Sequence, residues 1–338
     1  MLLLTLDSSR FVSSKTTEMK SAVPSWADID IDTLLKIFKL LNMIELASVS
    51  QVCRSWHAAC SNPWLWNTLD LELLKSNFIQ TTARPYIWVN IRSDRNLMTL
   101  LQLAMALSRG NITILIFHFN LYMNDEHLTY ISERCPHLKQ LVLPAWNRIT
   151  KWAICDAFHR WQELESLTMP TVAHPPYIME AIGRSCKNLS SLKVMGTFDI
   201  QFASSIICHL PNLKVLSLRC SILTKDALMF ILHCMDHLEV LNISHCMLLE
   251  NLTPSGRTNI IRELDQSILG KTSRLREFYY CMSQSCTTCQ RMTADEGLMR
   301  WYRYEEWFWR EDEVSSLSLG RDYGKLFDEG CLDLGFRN

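Results

Sequence analysis

Between Leu138 and Ile243 the chain repeats itself. Five segments of the form L-x-x-L-x-L follow one another: Leu138, Leu141 and Leu143; Leu164, Leu167 and Met169; Leu189, Leu192 and Val194; Leu213, Leu216 and Leu218; Leu238, Leu241 and Ile243. Their middle residues are separated by 26 (141 to 167), 25 (167 to 192), 24 (192 to 216) and 25 (216 to 241). A period this regular admits few folds, because each unit buries its apolar face only against the next copy. Ile112, Leu115 and Phe117 extend the array by one step of 26 (115 to 141). Trp66, Leu69 and Leu71, and Leu275, Phe278 and Tyr280, read as irregular units at its two ends.

Periods in the twenties with this core are those of leucine-rich repeats, in which each unit gives one short strand to a parallel sheet and turns back through a helix. The expected fold class is therefore α/β, a solenoid of short parallel strands alternating with helices. The stretches between strands agree: Asn124-Asp125, Thr150 and Thr224 stand just before apolar helical runs, where N-caps belong. Cys220 and Cys246, just past their strands, resemble the turn cysteine of this repeat type and read as buried structural thiols. A doubly wound or barrel enzyme would also alternate strands and helices, but it would need phosphate-cradling or catalytic loops. There is no G-x-G-x-x-G and no G-x-x-x-x-G-K-[ST], and the chain has only 10 glycines. His233 and His237 are four apart but lack the adjacent Glu of a zinc hydrolase, so they read as a surface pair. The 37 residues from Leu241 to Phe278 exceed the period. The excess holds the turn-rich NLTPSGRTNI and a helix expected from about Ile260 to Leu269, read as a longer connection between units.

Ahead of the array, Leu34, Ile37, Phe38 and Leu41 form one stripe of an amphipathic helix with Asp30 or Asp32 as N-cap. Met43 to Cys60 repeats the pattern with Leu46, Val49, Val52, Cys53 and Trp56, and Asn62-Pro63 opens a third short helix carrying Trp64, Leu65 and Trp66. Three short helices cannot bury this many large apolar side chains among themselves, which points to an internal interface or a partner surface. The series Trp26, Leu34-Leu35, Ile37-Phe38, Leu40-Leu41, Glu45-Leu46, Val49, Val52-Cys53-Arg54-Ser55-Trp56 and Trp64-Leu65-Trp66 resembles an F-box. In that family the module binds a Skp-type adaptor and through it a cullin ubiquitin ligase. Where the family usually has Leu-Pro at the start of the first helix, this chain has Ile29-Asp30, and Asp caps a helix as well as Pro starts one.

With 34 basic and 35 acidic side chains the net charge is −1, which gives no long-range field for nucleic acid or an anionic membrane. The longest apolar run, Ile112 to Phe119, has a strand's length and is far short of the ~20 residues of a membrane span. The opening MLLLTLDSSR has too short an apolar run for a secretory leader, and the 13 cysteines are odd in number and scattered. The expected compartment is reducing, cytoplasmic or nuclear. Cys281, Cys286 and Cys289 form the tightest cysteine group, but one C-x-x-C is half a zinc site and neither a second pair nor paired His follows. They read as reduced structural thiols, with no metal and no cofactor expected. The domains expected are a disordered N-terminus over 1–23, the F-box over 24–70, the repeats over 71–290 and a C-terminal aromatic and acidic segment over 291–338. The last, with Trp301, Tyr302, Tyr304, Trp307, Phe308 and Trp309, reads as a cap over the final repeat.

Both halves together resemble plant F-box/leucine-rich-repeat proteins, which implies a substrate-recognition subunit of an SCF-type ubiquitin ligase with no catalytic residue of its own. A scaffold acting outside a ligase and a small-molecule receptor remain alternatives. The resemblance implies an adaptor surface built from Leu34, Ile37, Leu41, Ile44, Leu46 and Trp66. By strand alternation the third, fifth and seventh residues of each unit face the concave side. Among them Gln140, Thr168, Lys193, Arg219 and Asn242, with Trp146 just past its strand, are the expected contacts for a protein substrate. Two cations, Lys193 and Arg219, are too few for a polyphosphate pocket.

Overall fold

The computed structural model describes residues 26–294, apart from 72–73, 75–78, 81–86, 89–90, 119–120, 145, 170–174 and 252–257. The N-terminal stretch and the aromatic segment from Asp295 onward lie outside the described residues.

The sheet follows from the repeat. Eight parallel strands lie side by side in chain order: β1 Thr68–Asp70, β2 Ile114–Ile116, β3 Gln140–Val142, β4 Ser166–Met169, β5 Ser191–Val194, β6 Val215–Ser217, β7 Val240–Ser244 and β8 Glu277–Cys281. Leu69, Leu115, Leu141, Leu167, Leu192, Leu216, Leu241 and Phe278 are successive cross-strand partners, one continuous ladder. Both irregular end units thus join the sheet, and β1 falls inside the segment expected as 24–70. Every leucine of the ladder is at most 1% exposed.

Helices return the chain along one face. These are α4 Ile91–Ser108, α5 Asp125–Arg134, α6 Lys151–Arg160, α7 Pro175–Ser185, α8 Ile200–His209 and α9 Lys225–Cys234, then the shorter α10 Gln266–Thr272; α11 Thr287–Ala294 follows the last strand and packs on the other face. The expected N-caps hold: Asn124, Thr150 and Thr224 side chains accept from the N–H of His127 (3.2 Å), Ala153 (3.3 Å) and Ala227 (3.4 Å). Asp199 does the same for Phe202 (2.9 Å). At Gly183 the helices close so tightly that a Cβ would sit 2.2 Å from the His209 carbonyl oxygen. Strand exits turn through a left-handed residue at one repeat position: Gly196 (φ 127), Cys220 (φ 55) and His245 (φ 59). Beyond that turn a second set of short parallel strands forms, Thr197–Phe198, Ile222–Thr224 and Met247–Asn251.

The stretch after the seventh strand differs from expectation. Thr258–Ile261 is a strand, antiparallel to Met247–Asn251, so the extra residues make a hairpin and the helix starts only at Gln266. The β-branched Thr258, Ile260 and Ile261 favour pairing with the open edge beside them, and Asp265 supplies the cap, accepting from Ser267 and Ile268 N–H (both 3.0 Å). Among the described residues no helix is long and apolar enough to cross a membrane.

Candidate functional site

The N-terminal module has three helices, α1 Ile31–Phe38, α2 Met43–Val49 and α3 Arg54–Cys60, then a single 3-10 turn at Pro63–Leu65. Asp30 caps α1, accepting from Thr33 N–H (2.8 Å), and hydrogen bonds from Thr33 hold its carboxyl below the usual range. Asn42 and Glu45 form a reciprocal capping box on α2. The segment from Met43 to Cys60 is two helices where one was expected. After Val49 the chain tightens: Ser50 Oγ donates to the Ala47 carbonyl (2.7 Å) and Val52 N–H to that of Val49 (3.2 Å). The break turns Val52 outward and brings Trp56 edge-on to Phe38, with centroids 5.4 Å apart.

The six residues expected at the adaptor surface divide. Leu34, Leu46 and Trp66 are buried, and Trp66 Nε1 donates to the Cys60 carbonyl (2.6 Å). They hold the helices together and join them to the repeat core, with which they form one cluster. Leu41 is half-buried, while Ile37 and Ile44 are exposed. Leu41, Leu46 and Trp66 also border a cleft of about 360 Å³ that reaches Thr68 and Asp70 of β1. The exposed apolar set is larger than the sequence stripe suggests, because Trp26, Ile31, Leu40, Val52 and Trp64 also face solvent. Helical spacing marks apolar residues without telling which of two neighbouring faces is covered.

The concave face needs a larger correction. Register does align the expected residues: Val142, Thr168, Lys193, Ser217 and Asn242 are successive partners in one row, with Gln140 in the next. Yet Thr168, Lys193, Arg219 and Asn242 are at most 7% exposed, while Gln140 keeps partial access. A parallel sheet is normally covered on both faces. On the inner side Val142, Met195 and Cys220 cluster with Met292 of α11. Thr168, Lys193, Arg219 and Asn242 are therefore not an open docking surface. Trp146 lies in the strand Trp146–Arg148, paired with Tyr122–Asn124 outside the main sheet. Sequence reasoning missed a different feature: Trp152, Tyr177 and Ile200 are exposed in the first turns of α6, α7 and α8, three successive neighbours. Lys151 Nζ lies 3.1 Å from the Tyr177 ring centroid.

The buried thiols are structural, as expected. Cys220 and Cys246 are enclosed, and Cys246 Sγ donates to the Leu218 carbonyl (2.9 Å). Burial pushes Cys135 and Cys186 up to about 12, so neither is a thiolate at neutral pH.

Comparison with known proteins agrees with this architecture. Residues 31–72 match the F-box-like family model. The F-box/LRR-repeat protein At3g48880 of Arabidopsis thaliana is 50% identical over 298 residues, which cover 87% of this chain and 96% of that protein. From the same plant, F-box protein FBW2 is 24% identical over 327 residues, 91% of either chain, and F-box protein SKIP1 is 25% identical over 247 residues, 66% of this chain and 79% of its own. A helical module matching the F-box model, joined through one core to a repeat sheet, and half-identity along nearly the full length of such a protein place this chain in the F-box/LRR-repeat family.

Proposed function

We propose that the chain is a non-catalytic, substrate-recognition subunit of an SCF-type ubiquitin ligase, its F-box held by a Skp-type adaptor and its repeats holding a protein substrate. The observation that carries this is the apolar surface of the first helices: Ile37, Leu40, Ile44, Val52 and Trp64 are all more than 40% exposed although the core beside them is complete. An unpartnered apolar surface of this extent marks a protein interface. The single core running from α1 into the repeats makes the two halves one stiff body, so a substrate on the repeats is kept at a fixed offset from the adaptor. Proximity of that kind raises effective concentration without any chemistry by the chain itself. Substrate contact falls to the exposed side chains Trp152, Tyr177 and Ile200, where aromatic anchors are already outside.

The test is Ile37→Ala combined with Leu40→Ala. Both side chains are outside the core, so the thermal transition should stay put. Adaptor affinity should fall by about two orders of magnitude, since each aliphatic buried on binding contributes roughly 1.5 kcal/mol or more. Undiminished affinity in the folded variant would sink the adaptor assignment. Trp152→Ala with Tyr177→Ala should leave adaptor binding intact and reduce substrate capture.

A further inference from the structure

The reduced-thiol reading of Cys281, Cys286 and Cys289 rested on the lack of a fourth ligand after them. The fold supplies one from before. His245 follows β7, and its N–H donates to the Cys281 carbonyl (2.9 Å), continuing the pairing that sets Ser244 beside Cys281. The register of the last two strands thus delivers His245 and Cys281 to one spot, 36 residues apart in the chain. Cys286 stands just before α11 and Cys289 in its first turn, so the C-x-x-C folds both sulfurs toward them.

Four donors converge. His245 Nδ1 is 3.3 Å from Cys289 Sγ and 3.5 Å from Cys286 Sγ, and Cys281 Sγ is 3.7 Å from Cys289 Sγ. The ligand atoms all lie within 4.8 Å of one another, and all four residues are partly buried. Zinc–sulfur bonds of about 2.3 Å and zinc–nitrogen bonds of about 2.0–2.1 Å at tetrahedral angles put sulfurs about 3.8 Å apart and nitrogen about 3.6 Å from sulfur. The observed separations fit that frame. They do not fit a disulfide, whose sulfurs are about 2.05 Å apart. The spacing suits a single ion, and thiolates with one imidazole are donors that select Zn²⁺.

We propose that His245, Cys281, Cys286 and Cys289 form a structural zinc site that fastens α11 to the last two strands and closes the C-terminal end of the array. The inference is independent of what the repeats bind. With four protein ligands no coordination position is left for substrate, so the role is structural.

The experiment is native mass spectrometry with elemental analysis on the full chain, purified without chelator and, in parallel, reloaded with zinc alone. One zinc per chain is expected. Cys286→Ser with Cys289→Ser, and His245→Ala, should lose it, while Cys208→Ser, far from the cluster, should retain it. Because a variant lacking zinc could misfold, His245→Cys provides a second arm. Cys220 already occupies the equivalent turn at φ 55, so a cysteine fits there and a four-thiolate site should keep the metal. Chelation of the wild-type chain should also raise hydrogen exchange over residues 277–294 and leave 140–217 unchanged. Zinc content well under one per chain after reloading overturns the proposal. So does iron or copper in its place, or a non-reduced mass two hydrogens lighter with a disulfide mapped to these cysteines.

Discussion

Inside, the F-box and the repeats are indistinguishable, for one apolar cluster runs from Leu34 to Leu275. Outside they differ. Among the described residues, seven of the twelve exposed large apolar side chains lie between Trp26 and Trp64, though the repeats are several times longer. Along the entrances to the repeat strands the surface instead carries ion pairs between neighbouring units, Lys139–Glu165 (3.0 Å) and Arg276–Glu239 (2.8 Å), and a His137–Glu163 hydrogen bond (2.7 Å). Exposed pairs of this kind add little stability, about 0–1 kcal/mol each, but they keep a long surface wetted. The contrast teaches that apolar content has two uses here. In the repeats it is consumed between units, whereas in the F-box part of it is left over for another protein.

Leu192→Ala, in the middle of the leucine ladder, strikes the shared interior and should cost the most, about 2–5 kcal/mol. Urea unfolding measures it. If the loss equals that of Leu40→Ala, 85% exposed in the F-box, the distinction between interior and surface leucines collapses. Next comes Gly183→Ala, where a methyl group meets the His209 backbone; about 1–3 kcal/mol should be lost, and an unchanged transition would mean that α7 and α8 part without strain. The smallest effect concerns the exposed charges. Asp265 meets Lys225 (2.8 Å), which also meets Glu250 (2.8 Å); the Lys225 amine, then Ser267 and Ile268, hold the Asp265 carboxyl well below the usual range. A depressed carboxylate contributes stability above the ordinary value of about 4 and loses it as pH falls through its folded value. The melting-temperature gap between wild type and Asp265→Asn should therefore be open at neutral pH and shrink in acid. A gap independent of pH would assign the effect to packing.

The ladder was legible because a two-fold strand period and a fixed unit length both constrain the same leucines, so Leu141, Leu167, Leu192, Leu216 and Leu241 were located without ambiguity. The N-caps were legible for a local reason, a side chain answering its own backbone three residues on. What failed involved cover. Alternation put Lys193 and Asn242 on one face, but no periodicity reports whether that face is packed over, and both are buried. Likewise Leu34 and Ile37 belong to one apolar stripe, and only the position of α3 and β1 decides that the first is inside and the second out. His245 was invisible as a partner of the cysteines because 36 residues of sequence separate it from Cys281; strand register, which the repeat period encodes, is the signal that relates them.

The in-register stacking of the eight strands has a metric consequence. Neighbouring strands are about 4.8 Å apart, so the array advances roughly 34 Å from first to last. Adding or removing one unit would move everything beyond it by close to 5 Å and rotate it by the sheet's twist, with no change in any contact inside a unit. For a chain that holds one protein at one end and another along its length, repeat number is a ruler, and its graduations are the strands themselves.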